Sequence, residues 1–360
     1  MSAFQDRLLA LYEDRPDFVQ PASARNEVIA FVQQGLEDLS ISRTSFDWGI
    51  PIPWDSSHVT YVWFDALLNY VTATGYGADE EQFARRWPGN HIVGKDILRF
   101  HAVIWPAMLM AAGLEVPEHV FAHGWLLVGG EKMSKSKLTG IAPNEITDTF
   151  GSDAFRYYFM RAISFGHDGS FSWEDLSARY HAELANGFGN LASRVLAMNA
   201  KYFDSSVPEA SDTSTSSATE ADLAIRELAA AVAAAADASI ERFAIHEAIA
   251  EIWKLVDALN GYVQEQQPWA LAKHEDQRDR LATVLATATE GLRALAELLH
   301  PVIPLATQKL WVALGAEQAL GALDAQPLRS AGGWGRLPAG TLQLPLGVLF
   351  PRIEAEGEAR

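Results

Sequence analysis

The chain has 360 residues, 49% of them hydrophobic, and its 28 basic and 46 acidic side chains give a net charge of −18. A chain of this length can bury substantial apolar cores, and two or three domains are expected. The acidic balance argues against indiscriminate nucleic-acid binding, which depends on broad basic surfaces, but it allows a local RNA-binding patch. The absence of cysteine excludes disulfides and cysteine-ligated zinc within the chain.

The chain carries no sign of a membrane or secretory address. No apolar run approaches the roughly 18 residues that a membrane span needs, and no signal peptide precedes Ser2. The longest apolar stretch, around 229–236, is alanine-rich and typical of a helix in a water-soluble protein. We therefore expect a cytoplasmic protein with no membrane partner.

Residues 1–175 alternate between strand-like and helix-like stretches. The β-branched and aromatic run "HVTYVWFDAL" (58–67) predicts a buried strand, and "NHIVGKD" (90–96) predicts a short strand that leads into a helix over 97–113. The stretch 119–132 predicts another apolar strand followed by a glycine turn. This alternation favours a doubly wound α/β sheet, whose ligands gather beyond the carboxyl ends of the strands.

From about residue 179 the pattern becomes helical. Apolar side chains recur at spacings of three and four, which is typical of amphipathic helices that pack into a bundle. The three stripes are Leu184, Phe188, Leu191, Val195 and Met198; Ile245, Ile249, Ile252, Val256 and Leu259; and Leu281, Leu285, Ala288, Leu292, Leu295 and Leu299. We expect polar loops at 211–222 and 329–340 and a last strand over 342–350.

The segment "GGEKMSKSKLTG" (129–140) concentrates three lysines behind two glycines in an acidic chain. The glycines allow a sharp turn, and Lys132, Lys135 and Lys137 offer cationic donors that suit a polyphosphate whose charge grows during a reaction. A solvated basic loop is the alternative interpretation. The segment is not a Walker A loop, because the required glycine spacing and the Lys-Ser/Thr pair before a helix are absent.

The string "KMSKS" (132–136) matches the signature loop of class I aminoacyl-tRNA synthetases, and further motifs narrow the resemblance. The chain resembles methionyl-tRNA synthetases over essentially its whole length, in the family's order. The motifs are "DLSISRTSFDWGIP", "YVWFDALLNY", "GKDILRFHAVIWPAML", "HGWLLVGGEKMSKS", "NLASR" and "QQPWALAK".

The resemblance implies a fold and a domain order. We expect α/β plus all-α architecture, with the C-terminal half of a class I Rossmann-type catalytic domain at 1–150. A stem-contact connector would follow at 151–178, then an anticodon-binding helical bundle at 179–328, and a C-terminal loop and strand at 329–360.

The resemblance also implies site residues by motif match. Lys132 and Lys135 would be catalytic, stabilising charge at the departing pyrophosphate. The expected ATP-binding residues are Lys95, Asp96, His123, Gly124, Met133, Ser134 and Ser136. The expected methionine-binding residues are Trp63, Ala66, Leu67, Tyr70, Phe100, His101 and Trp105, although from composition alone the aromatic ones would equally suit an ordinary core. The expected anticodon-binding residues are Asn190, Arg194, Pro268 and Trp269.

Physical chemistry is consistent with these assignments. A thioether is polarizable and uncharged, so aromatic edges make favourable contacts with its sulfur. Asn190 and Arg194 are four apart and share one helix face beside the apolar stripe, where we expect them to be partly exposed. A rigid aromatic such as Trp269 beside amide and guanidinium donors suits unstacked RNA bases, although Trp269 could also be a packing residue at a helix start.

One expected part is missing from the sequence. Class I synthetases use a His-x-Gly-His loop on ATP phosphates, and no segment of the chain fits that pattern. The resemblance places that loop, the connective insertion with any zinc knuckle and the acid for the methionine amino group upstream. We therefore expect an N-terminally truncated synthetase that is inactive alone, with the missing N-terminal half as a further partner.

The whole enzyme would use methionine, methionine tRNA and ATP with Mg²⁺, and no zinc site is expected in this chain. Two alternatives stay open. One is another class I synthetase, for leucine, isoleucine, valine or cysteine, which shares the lysine loop and the bundle. The other is a non-catalytic tRNA-binding or assembly module that kept the bundle and lost the active site.

Overall fold

The computed structural model describes residues 1–128, 131–132, 140–209 and 219–353. None of the helices in these ranges has the length and apolarity that a membrane crossing requires. The chain divides into two compact units. The first comprises Met1–Trp125 and Phe165–Asp168, and the second comprises Leu126–Ser164 and Gly169–Arg360.

The first unit contains a parallel sheet and a small antiparallel sheet. Its strands are β1 (Val19–Gln20), β2 (Ser42–Arg43), β3 (Pro51–Ile52), β4 (Asp55–Thr60), β5 (Asn90–Gly94) and β6 (His119–His123). Strand β6 lies between β1 and β5, parallel to both, and Gly94 pairs with His123 at the carboxyl ends of β5 and β6. The antiparallel sheet has the order β2-β4-β3.

Helices of the first unit pack against the parallel strands. They are α1 (Gln5–Asp14), α2 (Ala22–Gln33), α3 (Val62–Leu67), α4 (Asn69–Thr74), α5 (Glu80–Arg86) and α6 (Trp105–Ala112), with a π-helical segment at Phe100–Ile104 directly before α6. One core contains four fully buried residues: Leu8 of α1, Val28 of α2, Val103 of the π-helical segment and Val120 of β6. The predicted α/β layer is thus confirmed.

The strand predicted over 58–67 is wrong beyond Thr60. Strand β4 ends there, its first half is exposed, and helix α3 begins at Val62. Trp63, Leu67 and Tyr70 are spaced by four and three, so they lie on one face across α3 and α4. Aromatic residues are common in strands and in buried helix faces alike, and the run alone did not separate the two.

The strand predicted over 119–132 is divided by Gly124 into β6 and a second strand, β7 (Leu126–Val128). A Cβ on Gly124 would lie 2.1 Å from the carbonyl oxygen of His167, so only glycine allows this close backbone approach. Segment Phe165–Asp168 therefore packs directly on the chain where β6 ends.

The second unit is a helical bundle with a small sheet. The sheet consists of β7, β8 (Glu131–Lys132) and β9 (Gly169–Phe171), with β7 central. The helices are α7 (Pro143–Phe150), α8 (Ser152–Ala162), α9 (Trp173–Arg179), α10 (Asn190–Tyr202), α11 (Glu220–Glu241), α12 (Ile245–Gln266), α13 (Pro268–Leu271), α14 (Arg278–Leu299), α15 (Pro304–Ala313) and α16 (Ala316–Leu320). A π-helical segment, Tyr180–Gly189, leads into α10.

The three predicted apolar stripes are confirmed as helical. They fall on the π-helical segment with α10, on α12 and on α14, and their members Phe188, Val256 and Leu292 are fully buried in one core. Of the loop predicted over 211–222, residues 211–218 lie outside the described residues, and helix α11 already begins at Glu220.

The strand predicted over 342–350 is wrong. The described chain there makes a single bridge, between Leu342 and Ser206, and no strand ladder. Pro345 lacks a backbone donor, which disfavours a continuous ladder. The segment instead lies extended on the bundle, where Gln343 accepts a hydrogen bond from Asn199 (3.0 Å) and Leu349 and Phe350 join the core.

Candidate functional site

Five aromatic side chains of the predicted methionine pocket form one cluster in the first unit. Trp63 of α3 stacks on Phe100 with ring centroids 4.0 Å apart, and its edge meets His101 at 6.1 Å. Tyr70 of α4 contacts His101 and Trp105, and its hydroxyl lies 2.8 Å from His101 Nε2. The π-helical segment and α6 therefore present one wall of the cluster, and α3 and α4 present the other.

His91, on β5, completes the cluster. Its ring stacks on Tyr70 at 4.2 Å, and its Nε2 lies 3.0 Å from Trp105 Nε1. An indole N–H can only donate, so His91 Nε2 accepts and carries no proton. His101 Nδ1 lies 3.0 Å from the carbonyl oxygen of Ile97, which can only accept, so that nitrogen is protonated and Nε2 accepts from the Tyr70 hydroxyl.

The electrostatics keep both imidazoles neutral. Burial, with a smaller contribution from His101, lowers the pKa of His91 to about 4, and burial likewise lowers the pKa of His101. Burial also raises the pKa of Tyr70. An uncharged aromatic wall with one hydroxyl is chemically suited to an apolar, polarizable ligand group such as a thioether.

The two remaining methionine-pocket residues lie on α3. Leu67 is buried in the apolar cluster with Trp105, Val71 and Leu109. Ala66 is half-buried, and its carbonyl oxygen accepts a hydrogen bond from the Asn69 side chain. The structure thus brings Leu67 to the aromatic wall.

The predicted ATP-binding residues of the first unit follow the carboxyl ends of two neighbouring strands. Lys95 and Asp96 follow β5, and His123 and Gly124 end β6, so strand register places them side by side. Lys95, Asp96 and Phe100 line a cavity of about 730 Å³. Ligands of parallel sheets collect at such strand ends.

Lys95 is held by a residue that sequence reasoning missed. Its Nζ lies 2.6 Å from Asp168 Oδ1 and 4.4 Å from the centroid of the Trp125 ring. The same carboxylate oxygen accepts from the Trp125 backbone N–H at 2.8 Å. The hydrogen bond from Lys95 contributes most to holding the pKa of Asp168 below its usual range. His123 Nδ1, for its part, lies 2.8 Å from the carbonyl oxygen of Gly124.

The lysine loop is only partly within the described structure. The backbone of Lys132 pairs with Leu127 across β8 and β7, but its side chain lies outside the described residues. Met133, Ser134, Lys135 and Ser136 lie outside them entirely. In the described ranges, no group of three or more His, Asp or Glu side chains is placed to hold a metal ion.

Two of the predicted anticodon residues lie at the start of α10. Asn190 is exposed and Arg194 is half-buried, as expected for residues that flank an apolar stripe. Arg194 Nη2 donates to Asn260 Oδ1 of α12 at 2.9 Å. Asn190 lines a cavity of about 460 Å³, whose other wall is the extended segment 348–352.

The other two predicted anticodon residues, Pro268 and Trp269, follow α12 closely in the sequence. Gln267 adopts a left-handed conformation (φ +46°) and ends the helix, and Pro268 then begins the short helix α13. Pro268 is buried, whereas the Trp269 side chain is 37% exposed. A partly exposed indole held at a rigid turn can serve as a stacking platform for a base.

Comparison with known proteins identifies the family. The profile described as "tRNA synthetases class I (M)" matches residues 1–196, and that described as "Anticodon-binding domain of tRNA ligase" matches residues 222–331. The chain belongs to the methionyl class I tRNA synthetase family. The first match covers the first unit and continues through α7–α9 into α10, and the second match begins in α11 and ends after α16.

Curated relatives carry the name methionine–tRNA ligase. The protein from Streptomyces coelicolor is 55% identical over 363 residues, covering 100% of this chain and 66% of the relative. That from Caldanaerobacter subterraneus subsp. tengcongensis is 45% identical over 360 residues, covering 99% and 55%. The chain thus spans between about half and two thirds of these relatives.

Solved structures of Mycobacterium tuberculosis methionyl-tRNA synthetase share the fold. The structure bound by methionyl-adenylate is 40% identical, has a TM-score of 0.88 and covers 97% of this chain, which covers 67% of it. The apo structure is 41% identical with a TM-score of 0.87, at 98% and 68% coverage.

Three residues of this family member were missed from the sequence: His91, Asp168 and Asn260. His91 alternates with buried Val93 on β5, so strand periodicity could have shown that it points inward. Asp168 forms an ion pair with Lys95, which is 73 residues away in the sequence. Asn260 accepts a hydrogen bond from Arg194, which is 66 residues away. No local pattern signals such distant pairs.

Proposed function

We propose that this chain supplies the methionine-binding, ATP-binding and anticodon-reading residues of a methionyl-tRNA synthetase. The enzyme condenses methionine with ATP to methionyl-adenylate and pyrophosphate, then transfers methionine to the terminal adenosine of methionine tRNA. The observation that carries the proposal is the neutral network of Tyr70, His91, His101 and Trp105, placed beside the strand end that bears Lys95. The protein would act in the cytoplasm.

The methionine side chain would bind against the aromatic cluster. The stacked pair of Trp63 and Phe100 offers ring faces and edges to sulfur. The Tyr70 hydroxyl donates a hydrogen bond to His101, which fixes the phenol ring in the cluster. His101 accepts from that hydroxyl as a neutral imidazole. An uncharged thioether that binds beside it therefore does not have to displace water from a charged group. Trp105, Leu67 and Ala66 would close the apolar end of the pocket.

ATP, which enters with Mg²⁺ as substrate, would bind beyond the ends of β5 and β6. Lys95 and Asp96 would contact the nucleotide or the adenylate, and His123 and Gly124 would lie near the adenine. In the lysine loop, Lys132 and Lys135 would stabilise the charge that develops on the departing pyrophosphate. Met133, Ser134 and Ser136 would complete the ATP-binding segment.

The helical bundle would read the anticodon. Asn190 and Arg194 supply donors on one face of α10, and Trp269 supplies a stacking surface behind the rigid Pro268 turn. We propose the domain boundaries given from the sequence, with the bundle at 179–328 and the stem-contact connector at 151–178.

We further propose that this polypeptide does not form methionyl-adenylate by itself, because no His-x-Gly-His segment is present in it. That absence favours a second candidate function for the isolated chain, a non-catalytic tRNA-binding module. Both candidates share the anticodon surface and differ in chemistry at the strand ends.

Two measurements on the purified full chain test these proposals. Methionine-dependent pyrophosphate exchange with ATP and Mg²⁺ should give no turnover, and an anticodon stem-loop of methionine tRNA should bind more tightly than one with a changed anticodon base. Robust exchange would refute the inactivity of the chain alone. Equal binding of both RNAs would refute anticodon reading.

A further inference from the structure

The side-chain amide of Asn260 uses each of its polar atoms. On α12, its Nδ2 donates to the carbonyl oxygens of Gly187 (3.1 Å) and Val256 (3.0 Å), and its Oδ1 accepts from Arg194 Nη2 (2.9 Å). An amide has two donor hydrogens, and both meet oxygens that can only accept. The orientation of this amide is therefore fixed by its partners, with its oxygen directed at the guanidinium.

These contacts join three pieces of the bundle. Gly187 belongs to the π-helical segment that precedes α10, Val256 lies one turn earlier on α12, and Arg194 lies on α10 itself. π-Helical turns are found frequently at functional sites, where they displace backbone groups from the regular ladder. Asn260 thus links the guanidinium to two backbone carbonyls on different helices.

Arg194 retains donors beyond the one that Asn260 uses. A guanidinium carries five N–H groups, and the Nε–H of Arg194 is buried with no hydrogen-bond partner in the described part of the chain. Because that N–H is closed to solvent, a ligand can reach only the N–H groups on the terminal nitrogens of this half-buried side chain. Asn190, which lies on the same face of α10, is exposed beside it.

We propose that Asn260 is the positioning residue of the anticodon surface. It does not touch RNA; it holds the Arg194 guanidinium in the orientation that presents its remaining donors to a base of an unstacked loop. The inference rests on the proposed anticodon-reading function and deepens it, because it makes base selectivity depend on a residue of α12 that acts only through Arg194.

The test measures dissociation constants of the full chain for two RNAs, the methionine-tRNA anticodon stem-loop and the same stem-loop with one changed anticodon base. Asn260→Leu should weaken binding of the first RNA about tenfold and leave the second nearly unchanged, so the ratio falls. Asn260→Ala removes the same acceptor without adding bulk and should also lower the ratio. Asn144→Leu, an exposed asparagine on α7, is the matched control and should change neither value.

A double-variant cycle separates positioning from simple packing. If Asn260 acts through Arg194, Arg194→Ala combined with Asn260→Leu should lose no more selectivity than Arg194→Ala alone. Additive losses would overturn the inference. So would a lower melting temperature in both Asn260 variants with an unchanged RNA ratio, because that pattern describes a structural role.

The outcomes also separate this inference from the function on which it rests. A wild-type chain that fails to discriminate the two RNAs refutes anticodon reading and the inference with it. A wild-type chain that discriminates them, with an Asn260→Ala variant that discriminates equally well, refutes the inference alone. Asn260→Ala decides the matter if Asn260→Leu does not fold.

Discussion

In the aromatic cluster, the positions of the imidazole protons of His91 and His101 follow from neighbouring groups that can only donate or only accept a hydrogen bond. Trp105 can only donate to His91, and the carbonyl of Ile97 can only accept from His101. Each imidazole is therefore neutral with a defined tautomer. A proton added to His91 Nε2 would face the Trp105 N–H, so protonation must break the contact.

This arrangement predicts a pH dependence of stability. The folded pKa of His91 is about 4, below its ordinary value of about 6.5, so the unfolded chain binds more protons between these values. Stability is therefore complete above pH 6.5 and falls as the pH approaches 4, by an amount on the order of 3 kcal/mol from this group. Urea unfolding at pH 5 and pH 7.5 measures it.

His91→Asn provides the comparison for that measurement. The variant lacks the titrating group, so its loss of stability between pH 7.5 and pH 5 should be smaller than that of the wild type. Because His101 and His300 also have lowered pKa values, only the difference between the two proteins reports on His91. Equal losses would contradict the prediction.

For individual residues, the sequence identified those that lie in motifs but did not identify the residues that form hydrogen bonds or ion pairs with them. Trp63, Tyr70 and His101 were predicted from short strings, and the structure brings them together. Their placement in a methionine pocket stays a prediction. Asp168 was missed because its role depends on pairing with a residue far away in sequence, which no local string encodes. The alternation along β5 could have indicated that His91 is buried.

Among the elements, helices were predicted better than strands. A stripe spaced by three and four over many turns, as on α12 and α14, has few other interpretations. The short runs at 58–67 and 342–350 carried no such periodicity; the first strand prediction was wrong beyond Thr60, and the second was wrong throughout. In the second, proline and tertiary contacts with the bundle decide the conformation.

The loop at 329–340 is anchored to α14 by buried charges. Arg293 is fully buried and pairs with Glu290 (2.9 Å) and Glu297 (3.0 Å), and it also donates to the carbonyls of Ala331 and Gly333. Breaking a buried ion network leaves uncompensated charge, which costs far more than the loss of a surface pair. The Arg336 guanidinium also pairs with Glu297 (2.6 Å), and Glu290 accepts from the backbone N–H groups of Arg336 and Leu337, so two guanidiniums and two carboxylates join the loop to the core.

We expect Arg293→Met to destabilise the bundle by about 3–5 kcal/mol, because Glu297 keeps only one of its two cationic partners and Glu290 keeps only backbone N–H donors. Arg329→Met, an exposed arginine of the same loop, is the matched control and should change the free energy of unfolding by less than about 0.5 kcal/mol. Denaturant unfolding followed by circular dichroism checks both. Similar values for the two variants would rule out this role of Arg293.

For the whole molecule, charge constrains how RNA can bind. With a net charge of −18, long-range attraction to phosphates is weak or repulsive, so affinity must come from a small set of local contacts. This fits a surface built from Asn190, Arg194 and Trp269, in which only one side chain is cationic.

We therefore expect a shallow salt dependence. Because Arg194 is the one cationic side chain of the proposed surface, about one phosphate can be neutralised, and log K for the methionine-tRNA stem-loop should fall with log[KCl] with a slope of magnitude about 1. Binding titrations between low and moderate KCl measure the slope, and an unrelated stem-loop serves as the control RNA. A slope several times steeper would indicate a broad basic surface that the sequence does not provide.

The path of the chain between the units limits how the protein can be dissected. It passes from one unit to the other after Trp125, Ser164 and Asp168, so no single cut yields both units whole. A fragment that starts at Leu126 keeps residues 165–168, but its Asp168 has lost the ion pair with Lys95. A fragment that starts at Gly169 contains β9 but lacks β7, the strand with which β9 pairs. An excised helical bundle would therefore need a designed substitute for one of these contacts.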